Sequence, residues 1–157
     1  MKTAIKCGNL FNPNTKKVEE KRLIMICDDR VEEVLDIQSA DLSGFDVIDL
    51  SDKFVMPGMI DAHVHIGMNG EGDGTAKGVR SLVGENTLYS LKNAQTDLYA
   101  GVTTLRDCCS SDFNRVAIRN SINKGKFGGP GLIVCGKSMV SPGRHSDRHN
   151  NADLIQA

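Results

Sequence analysis

Val55-Met56-Pro57-Gly58-Met59-Ile60-Asp61-Ala62-His63-Val64-His65-Ile66 is the stretch on which the reading of this 157-residue chain turns. Pro57-Gly58 is a turn signal that closes one unit of structure and aims a fresh strand into another. Side chains alternate faces along a strand, so Ile60, Ala62, Val64 and Ile66 are expected on one face. Asp61, His63 and His65 are then expected on the other. Residues two apart on a strand lie roughly 6.5–7 Å from each other, so both rings can converge on one ion at about 2.0–2.1 Å from nitrogen to zinc. The competing reading is an amphipathic strand whose histidine face meets water, and the turn in front of the strand argues against it.

Before this strand, residues 1–56 read as a separate small β unit. Thr3 to Cys7, Leu23 to Cys27, Val31 to Leu35 and Val47 to Leu50 are short runs rich in Val, Ile and Leu. Asn12-Pro13-Asn14, Asp28-Asp29-Arg30 and Ser43-Gly44 supply the turns between them.

After it, strand and helix alternate, which argues for parallel pairing with right-handed crossovers. Leu88, Leu91, Ala94 and Leu98 recur at helical spacing, and Gly101 stands where a glycine ends such a helix. Ser111 or Asp112 can cap a second helix whose inner face is expected to carry Phe113, Val116, Ala117 and Ile122. Gly125 and Gly128-Gly129-Pro130-Gly131 break it. The same alternation describes half of a dinucleotide-binding fold, and Gly70-Glu71-Gly72-Asp73-Gly74 superficially offers the glycines. Those glycines do not lead directly into a helix, and two acidic residues among them would repel a pyrophosphate. The spacing also lacks the ligand positions of a calcium loop. A loop over the end of the histidine strand is the simpler reading.

Composition narrows the class. With 39% hydrophobic residues, 25% charged and a net charge of −1, the chain reads as ordinary globular protein. Lys and Arg are scattered and Trp is absent, so neither a basic stripe nor a base-stacking platform for nucleic acid is offered. No apolar run approaches the roughly 20 residues that span a bilayer, and Met1 to Lys6 lacks the apolar core of a secretory signal. No membrane partner and a cytoplasmic location are the expectations. Five cysteines without C-x-x-C spacing fit reduced thiols. Cys108 and Cys109 stand apart because they follow a strand end, where α/β folds keep their active sites.

Pro57-Gly58-Met59-Ile60-Asp61-Ala62-His63-Val64-His65 resembles the P-G-x-I-D-x-H-x-H with which amidohydrolase-superfamily enzymes open their barrel and bind one or two metals. Val47 to Val55 is similar to the family's lead-in, Gly101-Val102-Thr103-Thr104-Leu105-Arg106-Asp107 to its second barrel strand, and Gly129 to Lys137 to its third. The nearest subgroup is the imidazolonepropionase-like and Xaa-Pro dipeptidase-like enzymes. The resemblance implies an α/β fold, the N-terminal part of a TIM-like (β/α)8 metallo-hydrolase barrel, preceded by a partial β-sandwich over residues 1–56. A closed barrel takes about 250 residues, so residues 57–157 are expected to hold about three of its eight strands. An N-terminal portion follows as the expectation, either a truncated gene product or a fragment.

The implied function is hydrolysis of a carbon–nitrogen bond in a small amide-type substrate by a metal-activated water. His63 and His65 are the implied metal ligands, for Zn2+ or another divalent ion, one or two in number. The family's later ligands, a lysine, two histidines and an aspartate, have no matching positions. Asp61 can orient an imidazole through its second nitrogen or serve as a turn carboxylate. Ser141 to His149 lies where the subgroup has Gly-Gly-His-Gly, with Arg144 at a glycine position. His145 there can contact substrate, pair with His149 at i, i+4, or sit in a solvated loop. Arg106 and Asp107 can line the site's rim or form an ion pair. The alternatives to a hydrolase are an inactive remnant, or an interaction module that completes its sheets with a partner chain or a second copy.

Overall fold

The structure, a computed structural model, describes residues 1–68, 70, 81–110 and 112–139. The chain divides into two units, Met1–Pro57 and Gly58–Ala157.

The first unit is a four-stranded sheet in the order β3-β2-β1-β4. Its strands are β1 (Lys2–Asn12), β2 (Lys17–Cys27), β3 (Arg30–Asp36) and β4 (Asp46–Val55). β1, β2 and β3 pair antiparallel as successive hairpins, while β4 runs parallel to β1. Asn12 makes the first turn as its sequence suggests, since its side-chain oxygen accepts the N–H groups of Asn14 and Thr15 at 3.0 and 3.4 Å. Every strand is longer than its apolar run, because hydrogen bonding to a neighbour carries strand geometry into polar flanks such as Lys17-Val18-Glu19-Glu20. Ala4, Cys7, Leu10 and Leu23 are the buried core of this sheet. Gly8 lies where the β1–β4 register shifts, and a Cβ there would fall 2.3 Å from the Ser51 carbonyl oxygen. The absence of a side chain is what lets the two backbones approach.

The second unit follows the alternating pattern: β5 (Met59–Val64), α1 (Val83–Tyr99), β6 (Val102–Asp107), α2 (Asn114–Asn123) and β7 (Gly131–Val134). Its three strands form a parallel sheet in the order β5-β6-β7. One face is covered: Ile66, Leu105 and Leu132 pack with Ala94 of α1 and Ile118 of α2. Each such side chain contributes about 1.5–3 kcal/mol by leaving water, Ala94 less. On the opposite face Ile60 and Ile133 are 72% and 58% exposed.

The helices begin and end on polar devices. Glu85 accepts the Leu82 N–H at 2.9 Å at the start of α1, an acid placed where the helix dipole favours it. Gly101, at φ +97°, ends α1 and donates its N–H to the Leu98 carbonyl. Asp112 accepts the N–H of Asn114, the first residue of α2, at 2.8 Å. The inner face of α2 departs from the apolar spacing. Asn114, Arg115 and Ile118 are buried, whereas Phe113 is 61% exposed beneath the Lys137 ammonium. In α1, Leu88 is 70% exposed, and Ser90 and Ala94 take the buried positions. Buried polar side chains need partners, and these have them: Ser90 bonds the Asn86 carbonyl of its own helix, and Asn114 and Arg115 bond the Asn86 side chain.

Candidate metal centre

His63 lies in β5, and β5 ends at Val64, so His65 stands in the turn just beyond the strand. The two rings meet edge to face, with centroids 5.3 Å apart and planes at 81°. His63 is exposed and His65 half-buried, its Nδ1 wholly buried and without a hydrogen-bond partner. Strict alternation over residues 60–66 is not what brings them together. The pairing with β6 is irregular between Asp61 and Val64, and Asp61 falls in register with Leu105, a core residue. An extra residue in one strand turns the residues after it to new faces. An earlier shift, between Met59 and Ile60, precedes Asp61, which stands close enough to α1 to act on Asp97, whose carboxyl is pushed up by burial and then by the Asp61 charge. Its own Oδ1 accepts the backbone N–H of His63 at 3.0 Å, the geometry of a turn carboxylate that fixes the His63 backbone. A cavity of about 310 Å³ opens beside His65, lined also by Met68, Asn93, Thr96 and Asp97.

The turn that carries His65 is tied to three elements. Asp107, at the end of β6, accepts the Ile66 N–H on Oδ1 at 3.0 Å. Asn93 of α1 donates to the carbonyls of Ile66 and Met68 at 2.9 and 3.2 Å. Arg115 of α2 reaches under Gly67, where a Cβ would lie 1.9 Å from its Nη2. The Cys108 N–H bonds the Val64 carbonyl at 3.0 Å and closes the sheet behind the turn.

Asp107 is completely buried and Arg115 almost so, with 3.9 Å between Oδ2 and Nε. Burial pushes the Asp107 carboxyl up, opposed by the Ile66 hydrogen bond and by the charges of Arg115 and His65. Asn86 of α1 accepts from Arg115 Nη1 at 2.7 Å and from Asn114 Nδ2 at 3.0 Å. Sequence spacing did not single out Asn86, Asn93 or Arg115. Asp107, expected with Arg106 at the rim or in an ion pair, faces Arg115 instead.

Arg106 points away from that network. Its Nε donates to the Ala62 carbonyl at 2.6 Å, joining β6 to β5 one residue before His63. Cys109 Sγ lies 2.8 Å from Ser138 Oγ. His145, with Arg144 and His149, lies outside the described residues.

No sequence-family model matches the chain, and no curated protein does. Solved structures do. A Xaa-Pro dipeptidase with methionine bound in its active site superposes with a TM-score of 0.82 at 25% identity, over 96% of this chain and 37% of that one. A prolidase complexed with N-methylphosphonate-L-proline gives 0.75 at 26% identity, over 88% and 32%. An amidohydrolase gives 0.74 at 25% identity, over 94% and 36%. The chain matches the N-terminal portion of amidohydrolase-superfamily structures. It spans about a third of the length of these amidohydrolase-type chains.

The donors present decide the fit to a metal. Two imidazoles side by side are suited to a borderline-soft divalent ion. Among the described residues no group of three or more His, Cys, Asp or Glu is placed to hold one. Three protein ligands are usual in catalytic zinc sites, so the pair fits as part of a ligand set.

Proposed function

We propose that this chain carries the metal-binding opening of a metal-dependent hydrolase that cleaves carbon–nitrogen bonds, amide or dipeptide, in small molecules. The observation that supports it is the His63–His65 pair at the C-terminal end of the first strand of a parallel sheet. That end is where α/β barrels keep their chemistry. Its likeness to dipeptidase and amidohydrolase structures supports the hydrolase class. In this reading β5, β6 and β7 are the first strands of the barrel and Met1–Pro57 belongs to a β-sandwich. When bound, a divalent metal, Zn2+ in the first instance, supplies Lewis acidity and brings the pKa of a water close to 7.

The chain's own residues have separate tasks. His63 and His65 bind the ion through ring nitrogens. Asp61 restrains the His63 backbone, and Arg106 fixes the Ala62 carbonyl beside it. Arg106, on the open face of the sheet, and His145 are the proposed substrate contacts. Among the described residues no helix is long and apolar enough to cross a membrane, and a cytoplasmic location belongs to this proposal.

Zinc titration by calorimetry tests the reading. The chain should bind zinc weakly, and His63→Ala should weaken binding by more than about tenfold, the lower bound for losing even a residue that supports a ligand. Far-ultraviolet circular dichroism should not change. Absence of zinc binding by the unaltered chain would remove the proposal.

A second reading, an inactive remnant or interaction module, is favoured by the donor count among the described residues. It predicts no turnover of amide substrates with zinc present, whereas the hydrolase reading requires turnover once the remaining ligands are supplied.

A further inference from the structure

We propose that Asp107 is the positioning residue of His65: one carboxylate oxygen holds the Ile66 N–H, and the other takes the His65 Nδ1 proton in a hydrogen bond that fixes the ring tautomer. Its use, leaving Nε2 bare for a metal, rests on the function proposed above.

Two orphans carry the inference. His65 Nδ1 and Asp107 Oδ2 are both buried, and neither has a hydrogen-bond partner. Buried polar atoms in folded proteins are paired in the large majority of cases, so each of these two calls for a partner. They are neighbours by construction. Val64 and Asp107 are in register on adjacent strands, and Asp107 already holds the amide that follows His65. A neutral imidazole has one N–H and one bare nitrogen, and the partner of the first decides which nitrogen is left as ligand. Carboxylates are the usual partners of metal-binding imidazoles.

The rival account is that Asp107 serves Arg115 alone, as a buried ion pair fastening α2 to the turn. The 3.9 Å between Oδ2 and Nε is too long for a hydrogen bond, so that oxygen's acceptor capacity remains open.

Asparagine separates the two accounts, because its single oxygen can serve the Ile66 N–H or His65 but not both, while its NH2 presents a donor where the carboxylate had none. The measurement is long-range proton–nitrogen correlation on the metal-free, 15N-labelled full chain near neutral pH, with His65 assigned by its loss in His65→Gln. We expect the Nδ1–H tautomer in the unaltered chain and a shift to Nε2–H in Asp107→Asn. Arg115→Lys, which keeps the charge, should leave the tautomer as it was. An Nε2–H tautomer in the unaltered chain overturns the proposal even if Asp107→Asn does not fold, and so does a tautomer indifferent to Asp107→Asn. Zinc affinity, measured in parallel, should fall about 10–100-fold in Asp107→Asn. If the tautomer shifts as expected but the unaltered chain binds no zinc, the Asp107–His65 contact is upheld and only the metal reading falls.

Discussion

Cys7 has no exposed surface, and burial pushes its thiol up. The sign follows from linkage: with the folded pKa above the unfolded one, stability is fully present below the unfolded pKa and is lost as pH rises through the folded value. Thermal melts of the chain should therefore show a decline beginning near an ordinary thiol pKa of about 8.5, and Cys7→Ala should lessen that decline, to which Cys135 also contributes, while lowering stability at neutral pH. Gly67 is a second residue with a defined cost. A methyl there meets Arg115 Nη2, so Gly67→Ala should destabilise by about 1–3 kcal/mol in chemical denaturation, the range for overpacking. The histidine pair was legible in the sequence because the turn before it and the residue types within it speak locally. The face of Asp61 was not, because it depends on an irregularity in pairing with β6, a partner some forty residues away. Asp107 was legible only in part. Its place at the end of a strand puts it at the rim or in an ion pair, but which cation it meets there, Arg115 rather than Arg106, is decided by helices that sequence spacing cannot dock.

Among the elements, β1 and β6 carry most of the sequence's instructions. β6 is the central strand of its sheet, and Leu105 is its most buried apolar residue. Leu105→Ala should cost about 2–5 kcal/mol, read as a lowered denaturation midpoint with an unchanged slope. The order of strands and helices after Met59 could be read directly, since period-two and period-3.6 patterns alternate there with glycine breaks between them. What α2 buries could not. Its apolar residues mark one face, yet Asn114 and Arg115 are the ones taken inside, because Asn86 of α1 accepts a hydrogen bond from each and Asp107 at the end of β6 pairs with Arg115. Apolar spacing finds a helix and misses its interface wherever that interface is polar.

For the second unit as a whole, among the described residues α1 and α2 pack on one face of the parallel sheet, and on the other Ile60 and Ile133 are exposed. Those two side chains make self-association the expected behaviour of these 157 residues in solution. Sedimentation velocity should show mass rising with concentration, and Ile133→Lys should reduce it. A concentration-independent monomer would count against that face as a docking surface. The four-stranded sheet of Met1–Pro57 carries a different consequence, in time rather than in energy. Its hairpins join residues close in sequence, and such pairs form in microseconds. β4 reaches β1 only across the whole unit, pairing Thr3 with Asp46, so its loop must close before any contact rewards it. β4 is therefore expected to dock after the rate-limiting step. Gly8→Ala, which wedges those two strands apart, should accelerate unfolding in stopped-flow experiments and leave the folding limb nearly where it was.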